Sequence, residues 1–351
     1  MQDNRGTNIK LGLIGCGYWG SKLLHTIMEL PGVEITHCCD VSPSVFTKIT
    51  AAHPYMKIFS SYETLIDSHD IDGVFIATPA STHYSIVKYA LQKKKHVFVE
   101  KPFTTSSKQA LELIRLAQAQ DRVLLVDHTF VYAPAIHAIK EVITKNLLGT
   151  LYNIEMIWYN LGIFQPDVDV LWDVGPHALS MLLYLLEKEP VSVFCFGDSH
   201  IHSVTVDTAH LFLRFPHGVS ASIHLSWLMP NKERNVTIVG SEKMLTYDDT
   251  NPEKEIVLHD KRIRMNTTST TSIRYAHRHG GVDTQKVINE EPLRIACLDF
   301  LHCMVSGKTP KSDGMVGLRV VMLIEYLHKS LTRLMPIGVS GEVLYAINAT
   351  H

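Results

Sequence analysis

The sequence lacks several features that mark particular classes of protein. Its 33 basic and 35 acidic side chains nearly balance, for a formal charge of -2 at pH 7. A protein that follows nucleic-acid phosphates carries a basic excess, so we expect no nucleic-acid partner. No apolar run approaches the roughly 18 residues of a membrane span, and the polar first ten residues lack the apolar core of a signal peptide. These absences predict a globular, cytoplasmic protein without a membrane partner.

Metal-ligand and redox spacings are also missing. The six cysteines show no CxxC spacing. The 20 histidines form no HExxH motif and no His/Cys pair at ligand spacing. We therefore expect reduced, mostly buried thiols, scattered histidines and no bound metal. The length of 351 residues, 46% of them apolar, instead predicts two domains with large cores.

The stretch LGLIGCGYWG, from Leu11 to Gly20, carries the strongest functional pattern. A short apolar run leads into glycines at 15, 17 and 20, and apolar residues at helical spacing follow. In such a strand–turn–helix unit, Gly15 permits the turn, Gly17 the approach of a pyrophosphate, and Gly20 close helix packing. The next apolar run ends at Asp40, about 20 residues on, where a carboxylate binds the ribose of a dinucleotide. The alternative is a glycine turn with only a packing role.

The two parts of the chain differ in their hydrophobic pattern. Strand and helix patterns alternate up to residue 127, which predicts a doubly wound parallel sheet in an α/β domain, with Ser42 capping a helix that starts at Pro43. Alternating runs after residue 128 predict antiparallel strands with one packed and one open face. For the polar, turn-rich segment 248–285 we expect a mobile loop or a hairpin over a site.

Three unusual loops leave strands at the carboxyl edge of the predicted parallel sheet, at residues 15–20, 78–83 and 100–102. Ligands of open parallel sheets bind at this edge, so we expect the loops to line one crevice. Pro102 biases Lys101 toward an extended conformation at its rim. A lysine there can polarise a substrate oxygen as a hydroxyl becomes a ketone. The alternative is a solvated lysine after a strand.

A second candidate is the segment LWDVGPH, residues 171–177. Pro176 suits the first turn of a helix, which places His177 at the start of that helix and Asp173 in the segment leading into it. A carboxylate this close can orient the imidazole and raise its pKa, as proton transfer at neutral pH requires. The alternative is a packed histidine whose ring is satisfied by a loop carboxylate.

An ordered set of motifs covers nearly the whole chain. These are GCGYWG at 15–20, Ala77-Thr78-Pro79 with His83, Glu100-Lys101-Pro102, Asp173-x-Gly175-x-His177, and Glu291-Pro292-Leu293 with Gly307-Lys308-Thr309-Pro310. In this order and spacing they resemble the Gfo/Idh/MocA oxidoreductases. The resemblance implies a Rossmann dinucleotide-binding domain over residues 1–127. It also implies a substrate-binding and oligomerisation α/β domain over 128–351, whose mainly antiparallel open sheet forms a homodimer or homotetramer.

The resemblance also implies roles for single residues. Lys101 would bind the reacting oxygen near the nicotinamide, His177 would be the acid/base with Asp173 as its partner, and His128 would join these three in contacting substrate. The implied cofactor contacts are Gly15, Gly17, Tyr18, Trp19, Gly20, Asp40, Thr78, Pro79, His83, Glu100, Lys101 and Trp172. One departure is that Ala178, rather than an acidic residue, follows the histidine.

The resemblance implies hydride transfer between NAD(P) and the carbinol or keto carbon of a sugar. Residues 160–173 look like a branch of nucleotide-sugar dehydrogenases, which favours a nucleotide-linked sugar. NAD is favoured over NADP because the charge of Asp40 would repel a 2′-phosphate, unless Asp40 turned away and Ser42 accommodated it. Two alternatives remain open: an NAD-using glycoside hydrolase that oxidises its substrate transiently, and a non-catalytic dinucleotide sensor or regulator.

Overall fold

The chain folds around two β-sheets. The computed structural model describes residues 9–339 except 163, 166, 254, 270, 271 and 289, with backbone alone for 266–269 and 272–274. No helix in these ranges combines the length and apolar character needed to cross a membrane. All six cysteines are free and buried, which confirms the prediction of reduced, buried thiols.

The first sheet has six strands, all parallel, in the order β3-β2-β1-β4-β5-β6. Its strands are β1 (Ile9–Ile14), β2 (Val33–Cys39), β3 (Lys57–Phe59), β4 (Gly73–Ile76), β5 (His96–Glu100) and β6 (Leu124–Asp127). The helices between them are α1 (Tyr18–Met28), α2 (Pro43–Ala52), α3 (Tyr62–Ile66), α4 (Ala80–Gln92) and α5 (Ser107–Ala119). This is the predicted doubly wound sheet, and its strand order reverses between β1 and β4, where such sheets bind ligands.

The central residues of these strands are mostly apolar because helices cover both faces of the sheet. All four residues of β4 and all four of β6 are buried. Helix α2 starts at Pro43 as predicted, but the Ser42 hydroxyl lies 2.9 Å from the Ser44 hydroxyl and makes no capping bond to the helix.

The second sheet has nine strands in the order β14-β13-β12-β11-β7-β10-β9-β8-β15. Only the β7–β10 pair is parallel, so the prediction of a mainly antiparallel sheet is confirmed. Its strands are β7 (Leu151–Leu161), β8 (Ser192–Asp198), β9 (Thr208–Arg214), β10 (Ser220–Ser226), β11 (Leu228–Gly240), β12 (Met244–Asp248), β13 (Glu255–Ser269), β14 (Ser272–Lys286) and β15 (Ile337–Gly338). The remaining helices are α6 (Pro134–Thr144), α7 (Val170–Asp173), α8 (Gly175–Leu186), α9 (Pro292–Ser306) and α10 (Gly314–Arg333).

Residues 248–285 form mainly a hairpin rather than a loop. Strands β13 and β14 pair over their whole length, but β12 pairs only with residues 256–259 of β13. Residues 260–269 and 272–281 therefore extend past β12 as a two-stranded arm. Ile263, Met265 and Tyr275 share one face of this arm with Val282, and each is more than half exposed. That face continues the open face of the sheet, since Ile256 and Leu258 point to the buried side.

The backbone divides into two compact units, one comprising residues 9–132 and 291–322 and the other residues 133–290 and 323–339. The division predicted from the sequence, 1–127 and 128–351, differs from this mainly in residues 291–322. Helix α9 accounts for the difference, because its Phe300 packs edge-on against Phe75 and Phe98 of the parallel sheet at centroid distances of 5.3 and 5.7 Å. An amphipathic helix does not show in sequence which sheet it will cover.

We expect Phe300→Ala to lower the free energy of unfolding of the first unit by about 3–5 kcal/mol, since it empties a fully buried aromatic site. The matched control is Tyr55→Ala, an aromatic residue of the same unit that is 61% exposed, for which we expect a loss within about 0.5 kcal/mol. Chemical denaturation of both variants measures the difference. Equal losses would contradict the assignment of α9 to this core.

Candidate active site

The glycine loop between β1 and α1 leaves space for an anion. Gly15 has a φ of +86°, and a Cβ there would lie 2.5 Å from the carbonyl oxygen of Ala77. A Cβ on Gly20 would collide with the carbonyl of Gly15, whereas one on Gly17 would meet nothing within 4 Å. Gly17 is also the N-cap of α1 and has no side chain to satisfy the first backbone N–H groups. Such a loop fits the pyrophosphate of a dinucleotide.

Asp40 follows β2 and is hydrogen-bonded to the glycine loop. Its carboxylate accepts the backbone N–H of Cys16 at 2.8 Å and that of Ser42 at 2.9 Å. These bonds fix the carboxylate beside the loop, while its two oxygens keep further lone pairs for a ligand. The arrangement fits a ribose with free hydroxyls beside the pyrophosphate site.

His83 links two loops at the carboxyl edge of the parallel sheet. Its ring is 1% exposed, with Nδ1 2.8 Å from the carbonyl oxygen of Pro102 and Nε2 2.9 Å from that of Thr78. Both ring nitrogens are therefore engaged within the protein. The contacts tie the loop that carries Thr78 and Pro79 to the loop that carries Lys101, so His83 positions both loops.

Glu100 and Asp127 form a buried carboxyl pair at this edge. They end the neighbouring strands β5 and β6 in direct register, and they are 6% and 0% exposed. The indole N–H of Trp19, a residue of the glycine motif, donates to Glu100, and the Thr129 hydroxyl donates to Asp127 at 2.9 Å. Trp19 therefore connects the nucleotide loop directly to the residue that precedes Lys101.

Burial controls the protonation of this group. Burial, together with the adjacent Asp127, raises the pKa of Glu100 well above its usual range, and burial raises the pKa of Asp127 to about 6. Two carboxyl groups in contact away from water share one proton more readily than they carry two negative charges. Burial also lowers the pKa of His128 to about 3, so its imidazole is neutral. Within the described residues neither ring nitrogen of His128 has a hydrogen-bond partner.

In the second unit, Asp169 shapes the segment that leads to the predicted histidine. Its carboxylate accepts the N–H groups of Leu171 and Trp172 at 3.0 and 3.1 Å and thereby caps α7. His328 of α10 places Nε2 3.3 Å from the same carboxylate, and its ring stacks on the Trp172 ring at 6.0 Å. The Asp169 carboxylate thus holds the start of α7, with the His328 imidazole beside it.

Asp173 ends α7, and His177 lies in the first turn of α8. The Asp173 carboxylate accepts the indole N–H of Trp227 at 3.2 Å, which fixes its orientation. Both Asp173 and His177 are half-buried. The hydrogen bond predicted between them stays a prediction.

Family models match both halves of the chain. The model described as an oxidoreductase family with an NAD-binding Rossmann fold matches residues 9–128, and the model of the GFO/IDH/MocA C-terminal domain matches residues 136–246. The chain belongs to the Gfo/Idh/MocA family. It is an oxidoreductase of the dehydrogenase type whose first domain is an NAD-binding Rossmann fold, and both expectations from the motifs are confirmed.

Relatives within the Gfo/Idh/MocA family extend over most of the chain. UDP-N-acetylglucosamine 3-dehydrogenase from Acidithiobacillus ferrooxidans is 27% identical over 322 residues, which cover 90% of this chain and 94% of that protein. The 2,7-anhydro-N-acetylneuraminate hydratase of Escherichia coli is 23% identical over 338 residues, 87% of this chain and 88% of that protein. The solved structure of the Acidithiobacillus enzyme gives a TM-score of 0.78 at 22% identity, with 93% of this chain and 98% of that chain covered.

The predicted site residues of this Gfo/Idh/MocA chain fall into two groups. The first unit contains Gly15, Gly17, Tyr18, Trp19, Gly20, Asp40, Thr78, Pro79, His83, Glu100, Lys101 and His128, and the second contains Trp172, Asp173 and His177. The meeting of Lys101 with the Asp173/His177 couple over a nicotinamide stays a prediction, as do the individual contacts to cofactor and substrate. In the part of the chain that the structure describes, no three His, Cys, Asp or Glu side chains are grouped as metal ligands.

Sequence reasoning missed Asp127, Asp169, Trp227 and His328. Asp127 carried a usable signal, because it ends an apolar strand at the same sheet edge as Glu100. Asp169 carried a weaker one, an acidic residue directly before a short apolar turn. Trp227 and His328 carried none, since they are distant in sequence from the segments they contact.

Proposed function

We propose that the protein transfers hydride between NAD and a carbinol or keto carbon of a sugar, with a nucleotide-linked sugar as the preferred substrate. The observation that carries this proposal is the hydrogen bond from Trp19 to Glu100. It joins the loop that fits a pyrophosphate to the strand end that presents Lys101. One unit of the protein thereby holds both the nucleotide loop and a cation beside it.

The chain's own residues supply binding and proton control. The glycine loop and Asp40 hold the pyrophosphate and the ribose, and NAD supplies the hydride acceptor when it is bound. The Lys101 ammonium binds the substrate oxygen and stabilises the negative charge that develops there. The His177 imidazole takes the hydroxyl proton, and Asp173, oriented by Trp227, holds that imidazole in place.

Two relatives support the sugar substrate. UDP-N-acetylglucosamine 3-dehydrogenase is named for a nucleotide-linked sugar, and 2,7-anhydro-N-acetylneuraminate hydratase for another sugar derivative. A panel of UDP-, GDP- and dTDP-sugars with NAD tests the proposal through absorbance at 340 nm. Release of a sugar product without net absorbance change would favour the transient-oxidation alternative. Tight NAD binding without turnover of any sugar would favour a sensor.

We expect Lys101→Ala to lower turnover by about two powers of ten or more, because a positioned charge and hydrogen-bond donor to the substrate oxygen is lost. NADH affinity should stay within about threefold, since the glycine loop and Asp40 are untouched and the reduced nicotinamide ring is neutral. Steady-state kinetics and calorimetric titration measure the two quantities. Lys108→Ala, which removes an exposed lysine from the first turn of α5, is the matched control with unchanged turnover. Unchanged turnover in Lys101→Ala would remove the lysine from the mechanism.

We expect Asp40→Asn to weaken the preference for NAD over NADP by about tenfold, because one negative charge beside the 2′-position is removed. The amide keeps the shape of the side chain and one acceptor oxygen for the loop. Dissociation constants for both nucleotides give the ratio. Asp121→Asn removes the same charge from an exposed position and should leave the ratio unchanged. A ratio that stays constant in Asp40→Asn would show that another group selects the cofactor.

We further propose that the protein is a cytoplasmic homodimer or homotetramer that associates through the open face of the second sheet. Six large apolar side chains on that face are 47–64% exposed: Phe196, Phe212, Ile263, Met265, Tyr275 and Val282. Large exposed apolar side chains at both ends of one sheet face support a contact with another protein surface. The six free, buried thiols support a reducing compartment.

We expect Ile263→Glu to shift the protein toward monomers, because it places a charge on the apolar face of the arm. Light scattering coupled to size-exclusion chromatography measures the mass. Ala276→Glu places the same charge on the opposite face, beside Arg264, and should leave the mass unchanged. A wild-type protein that is monomeric throughout, or equal effects of both variants, would contradict the proposal.

A further inference from the structure

The buried carboxyl pair at the ends of β5 and β6 has a functional consequence of its own. Asp127 Oδ2 is buried, and no N–H or hydroxyl group of the described residues donates to it. The neighbouring Glu100 carboxyl, protonated, is the donor that this oxygen needs. Trp19 then donates to the Glu100 carbonyl oxygen, and Thr129 donates to Asp127 Oδ1. With one shared proton and one negative charge, each of the four carboxyl oxygens of the pair takes part in a hydrogen bond.

This charge lies on the nicotinamide side of the nucleotide site. Asp40 marks the adenosine side at the end of β2, and the glycine loop marks the pyrophosphate at the end of β1. The strand order continues from β1 through β4 to β5 and β6, so the other half of a dinucleotide extends toward Glu100 and Asp127. The Trp19 indole spans the remaining distance from the loop to the pair.

Lys101 sits beside the pair and lowers the pKa of both carboxyls through its charge. The negative charge of the pair attracts the cationic ring of oxidised nicotinamide. The reduced ring is neutral, so this charge neither attracts nor repels it. The pair therefore changes the relative affinity of the site for NAD+ and NADH.

We infer that the Glu100–Asp127 pair, sharing one proton, is a buried negative charge that favours binding of NAD+ over NADH. The inference rests on the proposed NAD site and deepens it, since it assigns the site a preference between the two redox forms of the nucleotide. Asp127 acts through its electrostatic field at the nicotinamide ring and through its attraction for the Lys101 ammonium. It is therefore a positioning residue rather than a catalytic one.

Two variants separate the charge from the hydrogen bonds. In Glu100→Gln the amide donates to Asp127 and accepts from Trp19, so the bonds and the negative charge are both kept. Adding Asp127→Asn to this variant removes the charge at nearly constant shape. We expect the ratio Kd(NADH)/Kd(NAD+) to be unchanged in Glu100→Gln within about threefold, and to fall about tenfold in the double variant.

The ratio in the wild-type protein should also depend on pH. Asp127 is charged above its pKa of about 6 and neutral below it, so the preference for NAD+ is present at pH 7.5 and lost as the pH falls toward 5. The other titratable groups around the pair are Lys101, His128, Tyr132, Cys297 and Asp313. Burial raises the pKa of Tyr132, Cys297 and Asp313, and the double variant controls for all five, because any pH dependence that it retains arises from them.

Calorimetry for NAD+ and fluorescence titration for NADH, on the full chain, give both constants, and circular dichroism checks folding. Equal ratios in the wild type and both variants, or a wild-type ratio independent of pH, would overturn the inference. Should the double variant not fold, the wild-type pH series decides alone. Failure of the wild type to bind either nucleotide would overturn the proposed function together with this inference, whereas binding with an unaltered ratio would overturn the inference only.

Discussion

The close packing of α1 on β1 at Gly20 is the constraint from which the first unit is built. Because a side chain at Gly20 would collide with the Gly15 carbonyl, the helix start lies directly against the turn. That placement brings the Cys16 N–H to Asp40 on one side and the Trp19 indole to Glu100 on the other. A single steric requirement thus aligns three strand ends, β2, β1 and β5, around one loop.

At the carboxyl edge of this sheet, burial rather than surface charge determines which side chains are protonated. Glu100, Asp127 and His128 are all nearly inaccessible to solvent, yet they lie next to Lys101. Charges in such a place are weakly screened and cannot relax toward water, so their protonation is set by one another. The second unit uses polar groups differently: Asp169 accepts backbone N–H groups of α7, and Asp173 accepts the indole N–H of Trp227.

Much of the first unit could be predicted from the sequence. The contacts that could not be predicted depend on residues far apart in the chain. The glycine loop, Asp40 and the parallel strands are local patterns, since each depends on spacing within about 30 residues. The partnership of Glu100 with Asp127 depends on the register between β5 and β6, and that of Asp173 with Trp227 on contacts far apart in the chain. Helix α9 shows its apolar face in sequence but not the sheet that receives it. Whether residues 248–285 formed a loop or a hairpin depended on strand pairing, because the described side chains of the arm are mostly exposed and show no buried alternation.

The burial of every cysteine has a practical consequence. A thiol reacts with maleimides as its thiolate, and burial both blocks access and, for Cys39, Cys195 and Cys303 among others, raises the pKa. We therefore expect the folded chain not to react with maleimides, so no native cysteine needs to be replaced before labelling. One cysteine engineered on the exposed arm would be the sole reactive handle, and a fluorophore attached there would report on that arm alone.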